Sequence, residues 1–385
     1  MQRRDFITNA IATAVVVASP PAVLAQTRTG QAKRTRWLVR TSEGLDAIAF
    51  LGALSGGQLY LEHYAEEAAV FARELPPQFT KDLAALWAKA TADGFGLLGP
   101  NLAVLFSTDG NDATLNTLLT GLRERDQLIL PKYRKSEYWS EKDWAWFSAH
   151  ATRLEAIFVA MRDADFASFR VQRTLGLTAR VAEVQRALNS FDVIFWQEKL
   201  TGRTFEPTIE IVLLRFSKPH GIKVQGQTFL QAADYDTATT IRIAAHEMLH
   251  PPVRMDGAAA KAALAVLARD PLMTKIVREH DPKWGYTTLE GVLNEDLVQA
   301  LDQLISEALG VARNPADRWR KSDDGFHVLA GALYGLLRQD RWIETGGSIE
   351  KWLFDAARTG RLAPAVLHFA AARVLERPVG RLWPL

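Results

Sequence analysis

Cysteine is absent from this chain of 385 residues. Disulfides, thiol nucleophiles and every thiolate metal site are therefore excluded. A bound metal would have to be held by His, Asp, Glu or water. A chain without thiols is also indifferent to redox compartment, which permits export without arguing for it. Excess charge is lacking too. Basic residues number 46 against 44 acidic ones, and no basic block is long enough for a nucleic-acid surface. Nucleic acid is not an expected partner. Long apolar runs are also missing: the stretch from Ile7 to about Ala18 is shorter than the ~20 residues needed to span a bilayer. Trp, Phe and Leu are spread along the length, which speaks against extended disorder.

The short apolar stretch follows Arg3-Arg4 and precedes Pro20-Pro21 and Val23-Leu24-Ala25. A charged start, a short apolar run and a small-residue cleavage pattern make an export signal, and the paired arginines resemble the twin-arginine type. Gln2 and Thr8 depart from the usual pattern. The mature chain is expected in the periplasm or secreted, with no stable membrane insertion once the signal is cleaved. The organisation read from composition and pattern is a signal peptide over 1–25, a polar linker over 26–36 and a mostly helical lobe over 37–190. A core over 191–310 and a helical lobe over 311–385 follow.

Helical periodicity predicts helices near 59–75, 79–98, 148–175, 178–190, 258–268, 287–309, 325–338, 348–358 and 363–375. Runs dense in β-branched and aromatic residues predict strands at 192–196, 208–216 and 222–230, the last bulged at Gly226. The tryptophan-rich window 137–147 suits core anchors around a helix start better than a binding groove. The fold class is α+β: mostly helical, with a small mixed or antiparallel sheet before one distinctive helix.

That helix carries Ile241-Arg-Ile-Ala-Ala-His246-Glu247-Met-Leu-His250. One helical turn separates the two histidines, so both imidazoles leave one face and can grip one zinc ion. Glu247 lies beside them and can take a proton from a metal-bound water. Asp236 suits the N-cap of this helix, and Pro251-Pro252 end it. The remaining histidines His63, His150, His220 and His368 have no ligand-spaced partner.

A small sheet, then a helix with His246-Glu247-x-x-His250, then a later acidic helix, resembles the zincin metallopeptidases. Among them the gluzincin branch, with a downstream glutamate as third ligand, is most similar. The resemblance covers roughly residues 205–310. It implies His246 and His250 as zinc ligands and Glu247 as general base. For the third ligand it favours Glu295, because Gly291-Val-Leu-Asn294-Glu295 is similar to the Gly-x-x-Asn-Glu of thermolysin-like members. Glu290 is the rival, although Thr287-x-x-Glu290 also reads as a capping box; Asp296 and His280 are more distant alternatives. The acidic residue usual four positions after the ligand is replaced by Gln299, and Asp302 on roughly the same face is a substitute partner for a histidine. His327 and Tyr334, with Tyr286 as a third, are the candidates to steady an oxyanion.

The implied activity is zinc-dependent hydrolysis of peptide bonds in a peptide or protein substrate. The alternative is a non-catalytic exported helical binding protein derived from a zincin. A di-iron reading of Glu247-x-x-His250 needs a second copy of that motif on another helix, and Asp324-x-x-His327 is the nearest approach to one.

Overall fold

Four short strands form the sheet of the computed structural model, which describes residues 33–108, 110 and 112–384. The expected signal peptide and most of the expected linker lie outside the described residues. The strands are β1 (Arg36–Thr41), β2 (Thr208–Leu214), β3 (Ile222–Gln225) and β4 (Thr228–Ala232), in the order β1-β2-β4-β3. β2 runs parallel to β4, and β3 antiparallel to it. The sheet is therefore mixed and the chain mostly helical, as the pattern predicts. The end of the expected linker is already β1. The expected strand 222–230 is a hairpin instead, because Gly226 takes a φ of +51° and turns the chain back.

The expected strand 192–196 is part of a helix, Val193–Thr201. Its buried residues Val193, Ile194, Gln197, Leu200 and Thr201 follow the helical period, which shows only when the window extends past Trp196. Asp192 caps it by accepting from the Phe195 N–H at 3.3 Å, and Gly202 at φ +67° ends it.

The chain divides into two units. The first holds Trp37–Ala187 and Glu210–Tyr235, so the sheet strands group with the N-terminal helices and not with the histidine helix. Its core helix Glu43–Leu54 is capped by Ser42, whose hydroxyl accepts from the Leu45 N–H at 2.9 Å. Phe50 on this helix lies 4.2–6.1 Å, centroid to centroid, from Phe71, Phe166, Phe169 and Phe216. Arg170 pairs with Asp46 in the same core at 2.6 Å. Trp146 is a core anchor, stacked on Phe95 at 4.1 Å. Tyr138 and Trp139 instead line a cleft of about 780 Å³.

His220 is buried in this unit, its Nε2 3.1 Å from the Tyr60 hydroxyl. Burial pushes its pKa down to about 4, with His63 adding repulsion. The unfolded chain therefore binds a proton below about pH 6.5 that the folded unit refuses. Stability from this source is complete above that pH and falls as pH drops toward 4, by about 3 kcal/mol in all. The urea midpoint is expected to fall between pH 7 and pH 4.5, and His220→Gln to shrink that fall. An equal fall in the variant would show that His220 is not the cause.

The second unit holds residues 33–36, Leu188–Ile209 and the described chain from Asp236 on. The helices Val328–Gln339 and Pro364–Leu375 pack closely here because Gly335 has no side chain; a Cβ there would stand 3.1 Å from Val374 Cγ2. The helix Leu289–Ala308 packs against Val328–Gln339 and against the histidine helix Thr237–Glu247. Among the described residues, no helix is long and apolar enough to cross a membrane.

Candidate metal centre

The helix Leu289–Ala308 is buried from Gly291 through Ser306. Its leucines explain one side. The other buries Asn294, Glu295, Asp296, Gln299, Asp302 and Gln303. Ionised groups are costly to bury unless paired, so this side defines a site.

The histidine helix begins at Asp236, whose carboxylate accepts from the Thr239 N–H at 2.6 Å. It ends at Glu247, earlier than the sequence suggests. The Leu249 N–H bonds the His246 carbonyl at 3.0 Å, and this tighter turn carries His250. The imidazoles still converge, with Nε2 of His246 3.2 Å from Nε2 of His250. The Glu295 carboxylate closes the triangle. Oε1 lies 3.5 Å from His246 Nε2, and Oε2 lies 3.4 Å from His250 Nε2. These three residues form the ligand-competent group found among the described residues. Glu290 stands outside it, in the first helical turn. The cap of that helix is Thr288, one residue later than expected, accepting from the Gly291 N–H at 3.0 Å.

The donor set fits zinc. Ligand atoms ~2.0–2.1 Å from a tetrahedral ion stand about 3.3–3.4 Å from one another, close to the three separations here. Glu295 Oε2 is buried with no hydrogen-bond partner, an orphaned acceptor that a cation would satisfy.

Neighbouring groups hold the ligands in place. His246 Nδ1 donates to Asp302 at 2.7 Å, which leaves Nε2 as the ligand atom. Both terminal nitrogens of the Arg318 guanidinium, Nη1 and Nη2, in turn donate to Asp302. Gln299 donates to Glu295 Oε1 at 2.9 Å and accepts from the Trp319 indole at 2.7 Å. Asp302 thus fills the orienting role that the sequence left open at Gln299. Arg318 and Trp319 were not picked out from the sequence, because they arrive from a separate helix, Pro315–Lys321.

Charge follows this geometry. Burial opposes a charge on His246, but the carboxylates of Glu295 and Asp302 overcome it and raise its pKa to about 9. Burial likewise opposes ionisation of Glu295, yet the two histidines hold it below the usual carboxylate range. Glu247, 8% exposed at the helix end, exerts its charge on both His246 and Tyr286.

Carboxylates already hold His327 and Tyr334, the first two residues expected to steady an oxyanion. His327 is fully buried, and its nitrogens donate to Asp296 at 2.6 Å and Asp323 at 3.0 Å. Burial opposes its charge, but Asp296 and then Asp323 push its pKa up to about 10. It is a buried imidazolium clamped between carboxylates. Asp296 also accepts from the Ala330 N–H at 3.0 Å and is not one of the three ligand-competent residues. The Tyr334 hydroxyl donates to Glu307 at 2.5 Å. Glu307 lies twelve residues beyond Glu295 on one helix, about 18 Å along the axis. His280 has both ring nitrogens on backbone carbonyls, of Ile276 at 2.7 Å and Gly285 at 2.6 Å. That leaves Tyr286. It is buried at a left-handed φ of +55°, its hydroxyl hydrogen-bonded to Glu295. Backbone strain of this kind in a bulky residue gathers at functional sites.

No known protein family matches this chain, and no characterised protein and no solved structure is significantly similar to it.

Proposed function

We propose that this chain is an exported zinc-dependent metallopeptidase of the gluzincin kind. The observation that carries the reading is the convergence of His246, His250 and a buried, under-bonded Glu295, with Glu247 one residue from the first ligand. Zinc held by these three residues would supply Lewis acidity toward a carbonyl and bring the pKa of a water toward ~7.

The chain's own groups supply the rest. Asp302, anchored by Arg318, fixes the tautomer and the ring of His246. Glu247 takes the proton of the attacking water and later passes it to the leaving amine. Tyr286 takes over the oxyanion role assigned from sequence to His327 and Tyr334, donating its hydroxyl proton toward the developing charge. β4, the strand before the histidine helix, is flanked by β2 and β3, so an extended peptide cannot add to its edges.

Elemental analysis of the purified chain tests the reading. About one zinc per chain is expected, with peptide hydrolysis lost to a chelator and restored by zinc. Substitution of His246 and His250 together should remove the metal. A folded chain without stoichiometric zinc would sink the proposal and favour the binding-protein alternative.

A further inference from the structure

Three arginines, Arg242, Arg313 and Arg318, gather in the second unit around the segment 311–318. Arg242 lies one helical turn before His246, and its guanidinium donates to the Val311 carbonyl at 2.9 Å and the Thr239 hydroxyl at 2.7 Å. Arg318 holds Asp302 and donates to the Gln303 side chain at 3.1 Å. Gln303 in turn donates to the Arg313 carbonyl at 2.9 Å. These bonds fix the segment 311–318 so that Arg313 sits among like charges.

Arg242 and Arg318 have side-chain partners; among the described residues the side chain of Arg313 has none. Its Nε is buried with no hydrogen bond, and no carboxylate among the described residues pairs with it. Burial, then Arg318 and Arg242, push its pKa down to about 10, with Asp302 and Asp323 opposing. Arg313 is only partly buried, so its terminal nitrogens stay open to an incoming anion while Nε lacks a partner beside two other guanidinium groups. Its planar fork suits a carboxylate or phosphate held bidentately.

We propose that Arg313, in the field of Arg242 and Arg318, is an oxyanion-binding group that takes a carboxylate or a phosphate of a ligand. In the peptidase this group is the carboxylate of the substrate, an extension that rests on the peptidase reading; anion binding itself does not.

The test uses the full chain stripped of metal by 1,10-phenanthroline, an uncharged chelator, so that zinc occupancy does not enter and no added carboxylate competes. Thermal midpoints are measured at constant ionic strength with inorganic phosphate, with a short peptide bearing a free C-terminal carboxylate, and with the same peptide amidated. Phosphate or the free-carboxylate peptide is expected to raise the midpoint by about 3 °C at ten times its Kd. The amidated peptide should not. Arg313→Gln should weaken the effective anion at least about tenfold. In chloride alone this variant should unfold no lower than the parent, because it loses an uncompensated charge and no bond. Response to phosphate alone assigns a phosphate ligand, and response to the peptide assigns a carboxylate; both support the site. Equal responses in Arg313→Gln, no response to either anion, or a variant that melts several degrees lower in chloride would overturn it. Zinc content, measured separately on the unchelated chain, decides the peptidase reading.

Discussion

Glu247→Gln is expected to lower peptide hydrolysis by about 10²–10⁴-fold while zinc stays bound. The amide keeps the size of the carboxyl but cannot accept the water's proton. Glu247 is not one of the three ligand-competent residues, so its loss should leave metal content unchanged. The separation of the two readouts is the strength of the experiment. A folding defect lowers both zinc and rate, whereas a lost general base lowers the rate alone. Circular dichroism and the thermal midpoint check that the helix Thr237–Glu247 survives, since Glu247 is its last residue and largely buried. Full activity in this variant would remove Glu247 from the mechanism and with it the reading of the motif.

Glu295→Ala is expected to reduce zinc from about one per chain to near none after dialysis. The substitution removes the carboxylate that faces both imidazoles and leaves only two protein ligands, which stand 3.2 Å apart. Asp302→Asn addresses the same centre less severely. It keeps a hydrogen-bond acceptor near His246 Nδ1 but weakens the charge that orients the ring, and it loosens the Arg318 clamp. Supporting residues of this kind typically cost 10–100-fold in metal affinity. Competition with a chromophoric chelator ranks the three proteins, and the expected order is parent, Asp302→Asn, then Glu295→Ala. Tight stoichiometric zinc in Glu295→Ala would move the third ligand elsewhere. An Asp302→Asn affinity equal to the parent's would reduce Asp302 to a structural anchor.

The histidine pair, the neighbouring glutamate and the helix cap at Asp236 are all legible along a single stretch, because helix periodicity ties nearby residues to one face. Glu295 is legible only by its resemblance to a motif; Glu290 competes with it on local pattern alone. The difference between them is burial, and burial is a property of the packed helix Leu289–Ala308. The partners of two oxyanion candidates were hidden for the same reason. His327 and Tyr334 look available in sequence, but Asp296, Asp323 and Glu307 claim them across folded contacts. The misread strand at 192–196 and the unbroken strand at 222–230 came from short windows, where a helix period and a glycine turn are hard to tell from strand patterning.

By itself the sequence determined the helix-rich α+β class, the absence of thiol chemistry and a local pair of imidazoles beside one carboxylate. Tertiary structure decided which distant acid faces that pair, which groups hold it and which arginine is left unpartnered. The reason is range: periodicity and capping act over a turn or two of helix, whereas desolvation and charge pairing depend on residues that only the folded chain brings together.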